Sequence, residues 1–188
     1  MTEPDLIKGL IAKDSEAWKA LVDQYQILVY NVCFGFLQNS HDAQDLTQDI
    51  FIEVFNSAHK FRGDSKLSTW LYRISTNRSL NFIRNNKKWR FWKELSSFFS
   101  DDESDDNPVS EEPSVLNENM EQQERSRFLY AAISNLPDNQ RIAFTLHKIE
   151  DLPYAEIAEI MNVTLPAVES LMHRAKVNLR KRLTPLLK

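Results

Sequence analysis

Between Tyr154 and Arg182 the chain spells two short helices that cross steeply, and no other stretch restricts the fold as tightly. Ile157, Ala158, Met161, Val163, Val168 and Leu171 fall where such a crossing needs apolar or small side chains. A larger residue than Ala158 would hold the two helices apart. Asn162 occupies the turn, where a left-handed backbone is usual and asparagine tolerates it well. Thr164 is expected to cap the second helix, and Pro166 lies in its first turn, where a missing N–H costs little. That second helix presents Thr164, Ala167, Ser170, His173 and Arg174, then ends in Lys176, Arg180, Lys181 and Arg182.

A helix-turn-helix of this kind normally sends its second helix into the DNA major groove N-terminus first. The alternative is a helical hairpin that touches no DNA. Five basic residues among the nine at 174–182 favour nucleic acid.

Only three glycines occur in 188 residues, and strand-like alternation is hard to find, so the expected fold is all-α. No 18-residue apolar run predicts a transmembrane helix. Met1–Lys13 carries Glu3, Asp5 and Lys8 without a long apolar centre, which does not read as a signal peptide. The single Cys33 excludes an internal disulfide and falls on an apolar helix face as a small core residue. A reducing cytoplasm fits these features.

The net charge of -4 hides a partition. Residues 101–124 hold ten acidic and no basic side chains, whereas 1–100 hold 13 basic against 11 acidic and 125–188 hold ten against six. Two mildly basic parts are joined by an anionic strap. Screening confines charge effects to roughly 8–10 Å, so a whole-chain pI of 5.6 does not argue against nucleic acid. Two small helical domains are therefore expected at 1–94 and 124–188, joined by an acidic flexible linker at 95–123. The strap is either a solvated tether or an acidic strand suited to a cationic channel.

The first domain reads as a helix bundle. Leu21, Tyr25, Leu28, Val32 and Phe36 lie on one helix face, extended by Trp18 and Leu37. Asn39, Ser40 and His41 break the pattern, and Asp42 is expected to cap the next helix. Ala43, Leu46, Ile50, Val54 and Ala58 share one of its sides, and Asp45, Gln48, Asp49, Glu53 and Asn56 the other. Acidic residues suit a helix's first turn, but this excess runs past it and is compatible with a docking face for a basic partner. The loop 61–69 precedes a further helix, capped by Ser68 or Thr69, that buries Leu67, Trp70, Leu71 and Ile74. Its polar side carries Arg73, Asn77, Arg78, Asn81 and Arg84. Residues 84–93 then hold five basic and no acidic side chains, interleaved with Trp89, Phe91 and Trp92. Cations track phosphates and aromatic faces stack on exposed bases, a combination suited to melted DNA. The competing reading makes these aromatics anchors of the helix end.

Taken in order, these segments resemble the extracytoplasmic-function (ECF) type of bacterial RNA polymerase sigma factor. Residues 42–51 resemble that family's polymerase-docking helix. Phe61-Arg62-Gly63-Asp64-Ser65, followed by Thr69–Ile74 and Asn77, resembles its promoter-melting segment. Leu136-Pro137, Arg141, Glu156-Ile157-Ala158, Val168, Ser170 and His173–Lys176 resemble its promoter-reading domain. The likeness covers roughly residues 10–92 and 124–184. It implies core RNA polymerase binding through Asp42, Asp45, Gln48, Asp49 and Glu53. It implies a -10 site at Phe61, Ser65, Lys66, Leu67, Arg73, Asn77, Arg78, Asn81, Arg84 and Lys88, with one unstacked base captured on the loop. Unstacking costs a few kcal/mol, which the pocket must offset. A -35 site is implied at Thr164, Ala167, Ser170, His173, Arg174 and Lys176. Glu169 either accepts from a cytosine amino group or turns from phosphate toward the protein. The implied partners are core polymerase, promoter DNA and an anti-sigma factor, often membrane-anchored, with no cofactor, metal or small-molecule substrate.

Two other readings are weaker. A freestanding helix-turn-helix regulator leaves the 42–56 surface, the 61–69 loop and the strap without a purpose. An enzyme lacks support, because His41, His59, His147 and His173 are dispersed and no phosphate loop, nucleophile motif or metal-ligand spacing is present.

Overall fold

The computed structural model describes residues 2–99 and 129–184, with side-chain environments described for 2–86 and 129–184. Among the described residues there is helix and no strand. The elements run α1 (Glu3–Ile11), α2 (Ser15–Leu37), α3 (Ser40–Ser57), a 3-10 turn (Ala58–Lys60) and α4 (Leu67–Phe99), then α5 (129–134), α6 (Asp138–Lys148), α7 (Tyr154–Met161) and α8 (Leu165–Leu183). The acidic strap falls outside the described residues. Helix α4 runs five residues past the expected domain end at 94.

Local chemistry sets the helix ends. Asp14 caps α2 by accepting from the Glu16 amide at 3.2 Å. Gln38 ends it in a left-handed conformation, its Nε2 donating to the carbonyls of Phe34 and Gly35. Helix α3 starts earlier than expected. Asn39, not Asp42, is the cap, and its Oδ1 accepts from the Asp42 amide at 3.0 Å. Of the three residues that interrupt the apolar pattern, Asn39 is the cap and Ser40 and His41 belong to the helix's first turn. Ser68 and Thr69 do not cap α4: both lie inside it, and the Leu67 amide donates to Glu3 Oε1 at 2.7 Å.

Helices α1–α4 enclose a first core around Leu21, Val29, Cys33, Ala43, Leu46, Ile50, Val54, Leu67 and Leu71. A second core is shared between the two halves of the chain. Val32 and Phe36 of α2, with Tyr72 and Leu80 of α4, pack in it with Ile142, Leu146, Ile157, Ala158, Val168 and Met172. Helix α2 thus buries residues on two neighbouring faces, one for each core. Gly35 makes this possible. A Cβ there would stand 2.9 Å from both Thr145 Cγ2 and Ile149 Cδ1, closer than carbon atoms pack. A third, smaller cluster holds α5 to α8 through Ala132, Ile133, Leu136, Ala175 and Leu179.

Candidate nucleic-acid interface

The helix-turn-helix forms as the sequence predicts, with two exceptions, at Val163 and in the side chain of Thr164. Asn162 takes φ 53°, and its amide and that of Val163 return to the last turn of α7. Ile157, Ala158 and Val168 are buried, and Met161 and Leu171 half-buried. Val163 is not a core residue: it is 38% exposed, because the chain leaves the left-handed turn pointing it to solvent. Thr164 occupies the cap position of α8 through its backbone, whose carbonyl accepts from Ala167 and Val168, without a side-chain bond. Thr164, Ser170, His173, Arg174 and Lys176 are exposed and Ala167 half-buried. Glu169 is exposed as well, which decides against its facing the protein.

In the first half, Asp45, Gln48 and Asp49 form an exposed strip on α3, with Asp42 and Glu53 half-buried. The strip continues into a groove that the main helix stripe does not reveal. A groove of about 380 Å³ between α2 and α3 is lined by Gln26, Ile27 and Tyr30 facing Gln44, Thr47 and Gln48. Ile27 is 69% exposed, and Tyr30 stacks on Phe34 with ring centroids 6.0 Å apart. The available signal was three large apolar residues, Ile27, Tyr30 and Phe34, off the main stripe of α2.

The residues expected at the -10 site have different fates. Lys88 lies on the α4 backbone, outside the residues whose side chains are described. Leu67 is fully buried in the first core, as the helix pattern predicts, so it does not line the pocket that the resemblance implies. Phe61 is only 9% exposed and rests against Trp70, centroids 5.1 Å apart. Between them Arg62, Gly63, Asp64 and Lys66 are exposed and Ser65 half-buried, with Gly63 at φ 77°. Asn77 and Asn81 are exposed. Arg78 pairs with Glu53 across α3 and α4.

Arg73 and Arg84 are engaged by the other half of the chain. Arg73 meets the end of α7, and Arg84 bonds to Asp138 at the start of α6. Asp138 also accepts from Arg141 at 2.9 Å, and the Arg84 hydrogen bond holds its carboxyl below the ordinary range. Nearby, the Tyr72 hydroxyl donates to Glu150 Oε2 at 3.2 Å, while Glu150 Oε1 is buried without a partner. Burial pushes the Glu150 carboxyl up, the Tyr72 bond pulls it partly back, and the charge of Asp151 raises it again. Among the described residues no group of three or more His, Cys, Asp or Glu side chains could hold a metal ion. No described helix is long and apolar enough to cross a membrane.

A long cationic helix beside an exposed recognition helix defines an all-helical protein that handles DNA. Comparison with known proteins narrows this. Residues 21–89 match Sigma-70 region 2 and residues 128–179 match Sigma-70 region 4. The chain is 31% identical over 180 residues to the ECF RNA polymerase sigma factor SigW of Bacillus subtilis, covering 96% of each. It is 30% identical over 190 residues to the RNA polymerase sigma-H factor of Pseudomonas aeruginosa, covering 99% of this chain and 96% of the relative. Among solved structures it is similar to CnrH in complex with the cytosolic domain of CnrY, with a TM-score of 0.67, 18% identity and 97% of each chain covered. It also resembles the sigma factor RpoE of Bartonella quintana bound to the anti-sigma factor NepR, at TM-score 0.58 and 20% identity, over 88% of this chain and 96% of that one. The chain belongs to the extracytoplasmic-function family of RNA polymerase sigma factors.

Proposed function

We propose that this chain is an alternative sigma factor that docks on core RNA polymerase through α3 and recognises a promoter at two separate elements. Asp45, Gln48 and Asp49, flanked by Asp42 and Glu53, meet a basic surface of the polymerase. The adjoining groove at Ile27 and Tyr30 gives that contact an apolar centre, the usual anatomy of a stable interface. Phe61 backs the 62–66 loop, where Ser65 and Lys66 contact an unstacked -10 base. Arg73, Asn77, Arg78, Asn81, Arg84 and Lys88 follow the same DNA along α4. Thr164, Ala167, Ser170, His173, Arg174 and Lys176 carry -35 recognition, with Arg174 and Lys176 on phosphates. The domains divide at 1–94 and 124–188, with 95–123 as linker. The chain works in the cytoplasm, without cofactor or catalysis of its own, and an anti-sigma factor is its natural restraint.

The observation that carries this reading is the exposed polar face of α8 together with the cations of α4. Two of those cations, Arg73 and Arg84, are bonded to the other half of the chain in the arrangement described. Promoter binding must therefore separate the halves, exchanging these bonds for phosphate contacts, and polymerase docking supplies the free energy for that exchange. Fluorescence anisotropy with a labelled promoter duplex tests it. The chain alone binds weakly, and adding core polymerase produces a promoter-specific complex. Equally tight, sequence-specific binding without polymerase would favour a freestanding regulator instead.

A further inference from the structure

We propose that Glu3 is a positioning residue for promoter opening: it fixes the start of α4, and so the exit of the 62–66 loop, where an unstacked base is received. The proposal rests on the reading that this loop captures a base. Helix α1, which carries Glu3, lies outside the residues that match the sigma regions.

The first amides of a helix have no partner within it. The Leu67 amide finds its acceptor 64 residues away in sequence, at Glu3 Oε1, 2.7 Å distant. A carboxylate there is favoured twice, as a charge-assisted acceptor and as a negative charge at the positive end of the helix dipole. Glu3 is held in turn by α1. Leu6 and Leu10 are buried in the first core. Gly9 permits a very close approach to α2, since a Cβ there would stand 2.4 Å from Ala17 Cβ. Helix α1 also packs on the 3-10 turn Ala58–Lys60 that leads into the loop. One short helix thus braces the loop at both ends, by packing at its entry and by Glu3 at its exit. Between those ends Arg62, Gly63, Asp64 and Lys66 are exposed, and nothing lies within 4 Å of where a Gly63 Cβ would be.

The test compares wild type, Glu3→Ala and Glu3→Gln as reconstituted holoenzymes. Opening is followed with 2-aminopurine in the promoter, and in a promoter series with an abasic site at each non-template -10 position in turn. Wild type loses opening at the captured position. Glu3→Ala opens the intact promoter about five- to tenfold less, binds core polymerase as wild type does, and loses little more at the abasic site. Glu3→Gln, which keeps an acceptor, stays within about threefold of wild type. Should Glu3→Ala fail to bind core, Glu3→Asp carries the same comparison with the carboxylate withdrawn by one methylene. Wild-type opening by Glu3→Ala overturns the proposal. So does a Glu3→Ala protein that keeps the full abasic penalty, because Glu3 then acts only on general stability. A wild type indifferent to every abasic site removes the base-capture reading and the proposal with it, a result distinct from the other two.

Discussion

The Arg73 guanidinium donates from Nη2 to the Glu159 carbonyl oxygen at 2.6 Å and from Nε to the Ile160 carbonyl oxygen at 3.1 Å. Those carbonyls end α7, the first helix of the helix-turn-helix, where the dipole favours a cation; the Glu159 carbonyl also accepts from the Asn162 amide. A residue expected on promoter DNA is therefore bonded to the end of the first helix of the helix-turn-helix. Arg73→Lys keeps the charge but loses the planar fork that serves two carbonyls. It should loosen the closed arrangement by about 1 kcal/mol. Fluorescence transfer between dyes on α3 and α8 should then fall while phosphate attraction persists. Unchanged transfer would show that the contact contributes nothing to closure.

Gly35 tests the packing behind that contact. Alanine favours a helix over glycine by about 1 kcal/mol, so Gly35→Ala should not weaken α2 itself. Its Cβ meets Thr145 and Ile149 at 2.9 Å, and the Thr145 side chain is fully buried and β-branched, with little room to move. The expected result is a more open protein by small-angle scattering, with helix content retained by circular dichroism. A bulkier Gly35→Leu should open it further, and an unchanged radius of gyration in both variants would contradict the shared core.

Closure should depend on pH through Glu150. Burial holds its carboxyl above the ordinary 4.5, so the closed state keeps this proton better than a state in which Glu150 is solvated. Lowering the pH from neutrality toward about 5 should therefore favour closure, and raising it through the elevated pKa should disfavour it. Asp138, whose pKa is lowered by Arg84 and Arg141, loses its contribution only as the pH falls below the ordinary 3.8, outside that window. Interdomain transfer measured from pH 7 to 5 should rise in wild type by more than in Glu150→Gln. Equal slopes in the two proteins would exclude Glu150 as the source.

On DNA, Arg78→Ala with Arg84→Ala should weaken open-complex formation and lower the salt slope by about two, one per phosphate contact. The intramolecular pairs they leave, with Glu53 and Asp138, are half-exposed and worth under about 1 kcal/mol each. The loss should therefore appear in promoter binding and not in thermal stability. Glu169→Ala should instead relax discrimination at one -35 position by about 1–3 kcal/mol, with the salt slope unchanged or steeper by less than one. A uniform loss across all -35 sequences would place Glu169 away from the bases.

Much of the fold was legible because helix periodicity is local. The stripe on α2, the inner side of α3 and the helix-turn-helix all follow from spacing alone, and Asn162 in its left-handed turn follows from residue chemistry. The cap of α4 was not legible: a carboxylate 64 residues upstream leaves no local trace, so the nearby hydroxyls of Ser68 and Thr69 looked sufficient. Nor was the shared core, because Val32 and Phe36 read as one stripe with Leu21 although they face a different partner. The partnering of Arg73 and Arg84 is a tertiary outcome in the same sense, whereas the burial of Leu67 follows from the helix pattern and only its implied place in a base pocket fails.

As an ECF sigma factor, this chain gives core polymerase its choice of promoter. Run-off transcription with purified core enzyme over a randomised promoter library measures this directly. Core alone should give no defined start sites, and adding the chain should yield a set of transcripts sharing one -35 and one -10 pattern. Transcripts that are unchanged by the chain, with no enriched pattern, would contradict it.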